Sequence, residues 1–204
     1  MGIREKRNRQ KEEFRVKILN AARELFIEKG YEAFSMRKLA HKIGFSPTTI
    51  YLYFKDKDAL LFAMCEELAE QCLLELTKIR KQHIDPVKKL RKALLFHVKT
   101  GLENPDHYKV LFFVHPGIYG SQTEFMQRPS IARDTHLAFK DIVKECIDSK
   151  LFIKADPETV TEIFYVSIHG LIVMSIFKSN YPWTDREILG KTLVDSLIRA
   201  YLKQ

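Results

Sequence analysis

The stretch SMRKLAHKIGFSPTTIYLYFKDK, residues 35–57, decides the fold. Ser35 can cap the first amides of a helix over the next eight residues, and Gly44 can end that helix. Ser46 and Pro47 then give a second start signal after a turn of only three residues, because proline in the first helical turn loses no hydrogen bond. Two short helices joined in this way are typical of a helix-turn-helix unit.

Helical periodicity continues on both sides of this unit. Upstream, apolar residues separated by charged ones predict a helix over 11–29 that ends at Gly30, and downstream Asp56 can cap a fourth helix that reaches about residue 81. Segment 116–129 is the least regular and reads as a loop over a pocket. Proline-marked breaks separate the further helices, which are predicted over 86–103, 106–115, 130–150, 157–178 and 185–202.

The sequence therefore predicts an all-α fold. A three-helix helix-turn-helix domain is expected over residues 1–55, and a larger helical domain is expected over residues 56–204.

The charge is concentrated in the first of these domains. The chain carries a net charge of +8, and residues 1–55 hold 13 of the 34 Lys and Arg against 6 Glu and no Asp. A basic segment beside a near-neutral body suggests a polyanion partner, either nucleic acid or a membrane surface. The longest stretch without a charged side chain, residues 163–177, is shorter than the roughly 20 residues that span a bilayer. A buried helix and no membrane partner are expected.

The remaining composition favours a cytoplasmic protein. The first ten residues are basic without a following apolar run, unlike a secretory signal. Cys65, Cys72 and Cys146 have neither metal-type spacing nor a disulfide pattern, and packing is favoured over redox sensing for the first two.

The second helix of the pair has an outer face suited to DNA. A small internal core is expected from Leu39, Ala40, Ile43, Ile50 and Phe54. Outward positions fall to hydroxyls, phenols and one leucine, which can contact base edges and phosphates: Thr48, Thr49, Tyr51, Leu52 and Tyr53. The tyrosines could instead pack against the fourth helix, and Thr49 could serve as a cap. The basic arm over residues 4–11 either follows the DNA backbone or minor groove or is a solvated tail.

These residues carry a resemblance to a known family. Residues 12–65 resemble the N-terminal domain of the TetR family of repressors through Lys29-Gly30-Tyr31, Leu39-Ala40, Gly44-Phe45-Ser46 and the cluster from Tyr51 to Lys57. The resemblance implies a dimeric, all-helical, ligand-responsive regulator. Its DNA-contacting positions correspond to Ser35, Arg37, Ser46, Pro47, Thr48, Thr49, Tyr51, Tyr53 and Lys57 in this chain, with Ser35, Arg37 and Lys57 on phosphates.

The second domain would then bind a ligand and form the dimer. Helix 157–178 is apolar nearly all round, so it must bury more than one face. Together with the last helix it predicts a four-helix interface between two copies, formed by Phe164, Ile168, Leu171, Leu193, Leu197 and Tyr201. The family places its ligand pocket in this domain, where the candidates are Phe96, His97, Tyr108, Phe112, His136, Phe139, Tyr165 and His169. An ordinary aromatic core is the alternative.

Motifs of other function classes do not occur. The sequence has no nucleophile elbow, phosphate-binding glycine loop or zinc-binding helix, so no enzyme, cofactor or metal is predicted. The preferred function is a repressor that binds a palindromic operator in double-stranded DNA as a homodimer and is released by a small hydrophobic or aromatic effector. Two rivals remain: a helical enzyme or carrier that uses the aromatic cavity, and a non-specific nucleic-acid binder.

Overall fold

A computed structural model describes residues 2–114 and 117–203, except for the side chains of residues 3, 113 and 122. The described residues form ten α-helices: α1 (Ile3–Ala33), α2 (Met36–Ile43), α3 (Pro47–Tyr51), α4 (Lys57–Arg80), α5 (Pro86–Glu103), α6 (Pro105–Lys109), α7 (Gln122–Gln127), α8 (Ile131–Asp148), α9 (Pro157–Phe177) and α10 (Arg186–Tyr201). A π-helical turn, Val110–Val114, follows α6. The extended pairing they show is a single bridge between Phe152 and Leu202. The all-α prediction is confirmed.

The helix ends lie close to their sequence signals. Helices α2 and α5 have the predicted bounds, and α4 starts directly after Asp56, whose carboxylate accepts a hydrogen bond from the Ala59 amide at 2.7 Å. Serine or aspartate also caps α3, α5, α8, α9 and α10. Local capping chemistry is therefore sufficient to place most of these boundaries.

Helix α1 is longer than predicted. It begins at Ile3, so the basic arm over residues 4–11 is helical, and it continues past Gly30 to Ala33. Gly30 has a φ of +74°, a backbone conformation that favours glycine, and helical geometry breaks at this residue, as predicted. Three further helical residues, Tyr31–Ala33, follow the break.

The segment after α5 also differs in detail. The predicted helix over 106–115 is α6 followed by the π-helical turn, and the predicted loop over 116–129 contains α7. Residues 115 and 116 of these two predictions lie outside the described residues.

The chain divides into two compact units. The first consists of Met1–Leu68 and Asp106–Gln127, and the second consists of Ala69–Pro105 and Arg128–Gln204. The division therefore falls within α4, whereas the expected functional boundary at residues 55 and 56 falls just before that helix. The assignment of separate functions to residues 1–55 and 56–204 stays a prediction.

The first unit has a continuous apolar core. Helices α1 to α4 bury their facing side chains, and Val110 of the π-helical turn is buried with them. The five residues expected to form the core of the helix-turn-helix are in place, with four buried and Ile43 partly buried. This core fixes α2 and α3 against α1, so the outer face of α3 is held on a rigid support.

The second unit is a helical bundle. Helices α8, α9 and α10 all pack on α5, and α9 also packs on α8 and α10. By length and composition α9 is the one helix of the described residues able to cross a membrane, with a mean hydropathy of 1.7. A core helix of a soluble protein passes the same test, and α9 buries Phe164, Ile168 and Ile172 within its own unit. About a third of its apolar window is buried, which leaves an exposed apolar face.

Candidate functional site

Two capped helix starts define the helix-turn-helix. The Ser35 hydroxyl accepts a hydrogen bond from the Lys38 amide at 3.2 Å, and the Ser46 hydroxyl accepts one from the Thr49 amide, also at 3.2 Å. Gly44 closes α2 in the left-handed conformation, with φ of +75°. A five-residue helix such as α3 has few internal hydrogen bonds, so its orientation depends on this cap and on buried Ile50.

The outer face of α3 carries the predicted groups. Tyr51 is 50% exposed, and Thr48 is exposed beside Pro47, which occupies the first turn. Thr49 is half-buried, and its hydroxyl lies 2.9 Å from that of Ser46. Ser46 is therefore the cap of α3, and the Thr49 hydroxyl contacts that capping group.

Tyr53, which follows α3, packs against helix α1. Its ring packs edge-on against Phe14 of α1, with the centroids 5.2 Å apart, and it is half-buried. Phe14 also packs against exposed Phe45 in the turn between α2 and α3. One aromatic side chain of α1 thus contacts a residue before α3 and a residue after it.

Lys57 has an aromatic support that the sequence reasoning missed. Its ammonium lies 3.8 Å above the ring of Tyr31, and the Tyr31 hydroxyl donates a hydrogen bond to Asp58. Burial, followed by that hydrogen bond and the nearby carboxylates, raises the pKa of Tyr31 to about 12, so the phenol stays neutral. Gly30 is the feature of the sequence that could have indicated this contact, because its kink changes the direction of the chain just before Tyr31.

The positions expected on phosphates surround this face. Arg37 projects from the first turn of α2 and is exposed, and Lys57 opens α4. The basic residues of the helical arm are exposed as well, and one of them, Arg9, pairs with Glu13 at 2.8 Å. Cations and helix starts on one domain suit the recognition of phosphate.

Six of the eight predicted pocket residues come together in the second unit. The Tyr165 ring lies at the centre of the cluster, with ring centroids 5.3 to 5.6 Å from those of His97, His136, Phe139 and His169. Phe96 lines a small cavity beside these rings. Tyr108 and Phe112 stack on each other at 5.5 Å in the first unit, where Tyr108 is fully buried, so these two do not join the cluster.

Burial keeps two imidazoles of this cluster, those of His97 and His169, neutral. It lowers the pKa of His97 to about 4, and it lowers the pKa of His169 well below 6.5, with a further contribution from His97. Burial also raises the pKa of Tyr165. His136 instead lies 2.8 Å from Glu158, which also accepts a hydrogen bond from Lys140. The centre of the cluster is thus uncharged at neutral pH.

The predicted dimer residues fall into two groups. Phe164 and Ile168 are buried in the core of the second unit, where Phe164 contacts Tyr201 at a centroid distance of 5.6 Å, and they leave no surface for a second copy. The prediction for these two positions is corrected because their face of α9 points into its own bundle. The remaining predicted residues keep partly exposed side chains: Leu171, Leu193, Leu197 and Tyr201.

Helix α9 also has an exposed apolar face. It carries apolar side chains at helical spacing, with Val166 73% exposed and Gly170 between them: Ile163, Val166, Met174 and Phe177. This group is called the α9 stripe below.

The cysteines and histidines show no metal arrangement in the described part of the chain. All three cysteines are buried, and burial raises the pKa of the Cys65 thiol to about 12 and that of Cys72 to about 11. Neutral, enclosed thiols of this kind act as apolar packing groups.

Known proteins resemble the chain at two levels. Residues 18–64 match the model of the bacterial regulatory proteins, tetR family. An HTH-type transcriptional repressor of Mycobacterium tuberculosis, Rv1474c, is 44% identical over 57 residues, which are 28% of this chain and 30% of that protein. The regulator UidR of Escherichia coli is 41% identical over 59 residues, 29% of this chain and 30% of UidR. The matched part therefore spans less than a third of either relative.

The fold extends the likeness over the whole chain. The solved structure of the regulator FadR from Bacillus subtilis in complex with stearoyl-CoA has a TM-score of 0.73 and 18% identity, and the match covers 90% of this chain and 97% of that one. At this identity the likeness shows the fold alone. The capped helix-turn-helix lies within the segment that matches the family model, so residues 18–64 form a domain of the tetR type of bacterial regulatory proteins, and most of the chain shares the fold of the solved regulator.

Proposed function

We propose that this protein is a transcriptional repressor that binds a palindromic operator as a homodimer and releases it when a small hydrophobic or aromatic molecule binds in the second unit. The observation that carries the proposal is the outer face of capped α3, with its hydroxyls and phenol, in the same compact unit as the cations Arg37 and Lys57. A regulator of this kind acts in the cytoplasm, without a cofactor, and is not an enzyme.

The side chains divide into two kinds of DNA contact. Thr48 and Thr49 at the start of α3 are short enough to approach base edges in the major groove. Ser35, Arg37, Ser46, Pro47, Tyr51, Tyr53 and Lys57 surround them and are assigned to the phosphate backbone and the groove wall. On this division, changes in the first group alter base preference, and changes in the second weaken binding to all sequences.

The DNA assignment is tested by selecting the preferred duplex from a random pool and measuring its affinity for three variants across a salt series. Lys57→Ala should weaken binding and make the plot of log affinity against log salt shallower by about 2, because a dimer loses two phosphate contacts. Tyr53→Ala should also weaken binding, and Thr49→Ala should change the selected sequence. Lys154→Ala, an exposed lysine in the second unit, is the matched control.

Two outcomes would contradict this assignment. If all three variants bound the selected duplex as tightly as the unchanged protein does, α3 and Lys57 would not be part of the DNA interface. Equal affinity for selected and random duplexes would favour the second candidate, a non-specific nucleic-acid binder, which the basic surface alone would support.

The dimer is supported by the α9 stripe. Exposed apolar side chains at Ile163, Val166, Met174 and Phe177 would be costly in water, and a second copy related by a twofold axis would cover them with the same face. Gly170 has open space where a side chain would lie, so backbones can approach closely at the middle of the stripe. Two paired units would read half-sites about 34 Å apart.

The interface is tested by sedimentation of the full chain. Val166→Asp should give a monomer and a steep loss of operator affinity, because a buried carboxylate without a partner is expensive. Leu74→Asp is the matched control, since Leu74 is 58% exposed on α4, outside the stripe. A Val166→Asp protein that remains dimeric at the same concentration would move the interface elsewhere.

The effector assignment rests on the aromatic cluster around Tyr165. The FadR structure contains bound stearoyl-CoA, which is consistent with a hydrophobic effector in this fold. Helix α4 contributes Lys57 to the DNA-binding surface and Cys72 to the cavity wall, so it connects the two assigned sites along one helix. An effector that prefers one position of α4 by about 1 to 3 kcal/mol would change DNA affinity by about 5- to 150-fold.

A further inference from the structure

The basic arm over residues 4–11 is an exposed part of helix α1. Every residue from 4 to 13 is exposed, and among the described side chains of α1 Phe14 is the first that packs against the core of its unit. A rise of 1.5 Å per residue places Arg4 about 15 Å along the helix axis from Phe14. The arm therefore contributes nothing to the core, and its charges are available to a partner.

The charges of the arm are separated onto different faces of the helix. Arg4, Arg7 and Lys11 are three and four residues apart, so they share one face, which is called the arm stripe below. Arg9 lies off this face and pairs with Glu13 at 2.8 Å. Within the described part of the chain, the three cations of the stripe take part in no ion pair. One face of the arm thus carries three uncompensated positive charges.

The arm stripe is continuous with the side of α1 that packs beside α3. Lys11 precedes Phe14 by three residues and Arg15 by four, so these side chains follow it along the same side of the helix. Phe14 packs against the ring of Tyr53, and the Arg15 guanidinium lies 5.6 Å from the centroid of the Phe54 ring. Tyr53 and Phe54 come two and three residues after the end of α3. The stripe therefore leads towards the proposed DNA-binding helix.

The composition of the arm favours a nucleic acid over a membrane. A helix that lies in a membrane surface needs an apolar face to enter the lipid, and residues 4–11, REKRNRQK, contain no apolar side chain. Cations about one helical turn apart on a single face suit a row of phosphates, and each neutralised phosphate releases a counterion. The charge complementarity is therefore to the backbone of DNA.

We propose that the arm stripe is a second DNA-binding surface, which contacts the phosphate backbone next to the segment read by α3 and adds affinity without sequence preference. This inference rests on the proposed function, whose DNA interface it extends beyond the residues assigned above. Because the arm is helical, its three cations are held in one row, and little ordering is needed when DNA binds. A flexible basic tail would instead bind with any arrangement of the same charges.

The test compares two double variants that lose the same charge. Arg7→Gln with Lys11→Gln removes two cations of the arm stripe, and Lys6→Gln with Arg9→Gln removes two cations from other faces of the arm. Glutamine keeps the helix because its helix propensity is close to that of lysine and arginine. Fluorescence anisotropy measures the affinity of each full-length protein for the selected duplex and for a random duplex across a salt series.

The stripe variant should bind both duplexes at least about tenfold more weakly at about 0.1 M salt. The ratio of the two affinities should stay the same, because phosphate contacts carry no sequence information. The plot of log affinity against log salt should become shallower by about 3 to 4, since a dimer loses four phosphate contacts at about 0.9 each. The control variant should change this slope by less than about 1, because its cations lie off the contact face and are screened by salt.

A proline substitution tests whether the helix itself is needed. Asn8→Pro keeps every charge of the arm but breaks the helix between Arg4 and Lys11. It should weaken binding to both duplexes at least about threefold, whereas Asn8→Ala should leave binding unchanged. The arm lies outside the core, so the thermal unfolding of all four variants should match that of the unchanged protein.

Three results would overturn the proposal: equal effects of the two double variants, no effect of the stripe variant, or unchanged binding by Asn8→Pro. Binding to vesicles of one-third phosphatidylserine that depends on the stripe, with DNA affinity unchanged, would give the arm a membrane partner and would overturn it as well. If a duplex is selected but the two double variants behave alike, the repressor function stands and the stripe inference fails. If the stripe variant weakens binding to every duplex but no duplex is selected, the stripe inference stands and operator recognition fails.

Discussion

The neutral state of His97 makes the stability of the folded protein sensitive to mild acid. Burial lowers the pKa of this imidazole from 6.5 to about 4. In the unfolded chain the side chain binds its proton near pH 6.5, so between those two values the unfolded state holds more protons than the folded state. The free energy of unfolding must therefore fall as the pH is lowered through this window, and it gains nothing further above pH 6.5.

The size of the effect follows from the same two values. The difference between the two pKa values contributes at most about 3 kcal/mol to the free energy of unfolding, and about 2 kcal/mol of this contribution is lost by pH 5. Small domains are stable by only about 5 to 15 kcal/mol, so a loss of this size is easy to detect.

The assay is urea unfolding at fixed protein concentration between pH 7.5 and 5.0, with the unchanged protein compared with His97→Asn. The variant loses packing at every pH, but it has no imidazole to protonate at this position. The gap in unfolding free energy between the two proteins should therefore shrink by about 2 kcal/mol from pH 7.5 to pH 5.0. His83→Asn, at an exposed position, should give a gap that does not change. A constant gap for His97→Asn would refute the reasoning, because it would mean that the folded protein accepts the proton freely.

Three further substitutions test local features of the fold and the site. Ser46→Ala removes the cap of α3 and should cost about 1 kcal/mol in thermal unfolding together with part of the operator affinity; unchanged values for both would show that the cap is dispensable. Gly190→Ala would place its Cβ 2.8 Å from Cγ1 of Val98 and should lower the unfolding free energy by about 1 to 3 kcal/mol, whereas an increase would show that α5 and α10 can separate. Tyr31→Phe keeps the aromatic ring but removes the hydrogen bond to the Asp58 carboxylate, which is then free to repel phosphates near the proposed DNA-binding face. Fluorescence anisotropy should show weaker operator binding with little change in stability. Unchanged binding would mean that the Tyr31 hydroxyl has no role in the site.

The helix-turn-helix could be predicted from sequence because its determinants are local. Ser35, Gly44 and Ser46 each act on amides or dihedral angles within a few residues, and the structure has the caps and the left-handed glycine where those residues predict them. The support of Lys57 by Tyr31 could not be predicted in the same way. The two residues are 26 positions apart, and the contact depends on the kink at Gly30 and on the packing of α1 against its own unit.

The aromatic residues illustrate a different limit. The family resemblance and the aromatic composition grouped Tyr108 and Phe112 with His97 and Tyr165, since all four are rings in the region after α4. The structure assigns the first two to the compact unit that contains α1 and the other two to the helical bundle. Long-range packing decides which compact unit a residue belongs to, as the burial of Val110 with α1 to α4 illustrates. Hydrophobic periodicity in the sequence does not indicate such packing.

Helix α9 shows why the sequence alone does not determine which of its faces would form the proposed interface. A helix that is apolar nearly all round gives no preferred direction, so periodicity cannot distinguish the face that meets the subunit core from the face that meets a partner. The structure makes that distinction against composition: α9 buries Thr161 and Ser175 while it exposes Val166 and Met174. Exposing apolar side chains on a helix is unfavourable in water. A second copy that covered the α9 stripe would remove that cost, and for this reason the stripe, more than the predicted core positions, supports the proposed dimer.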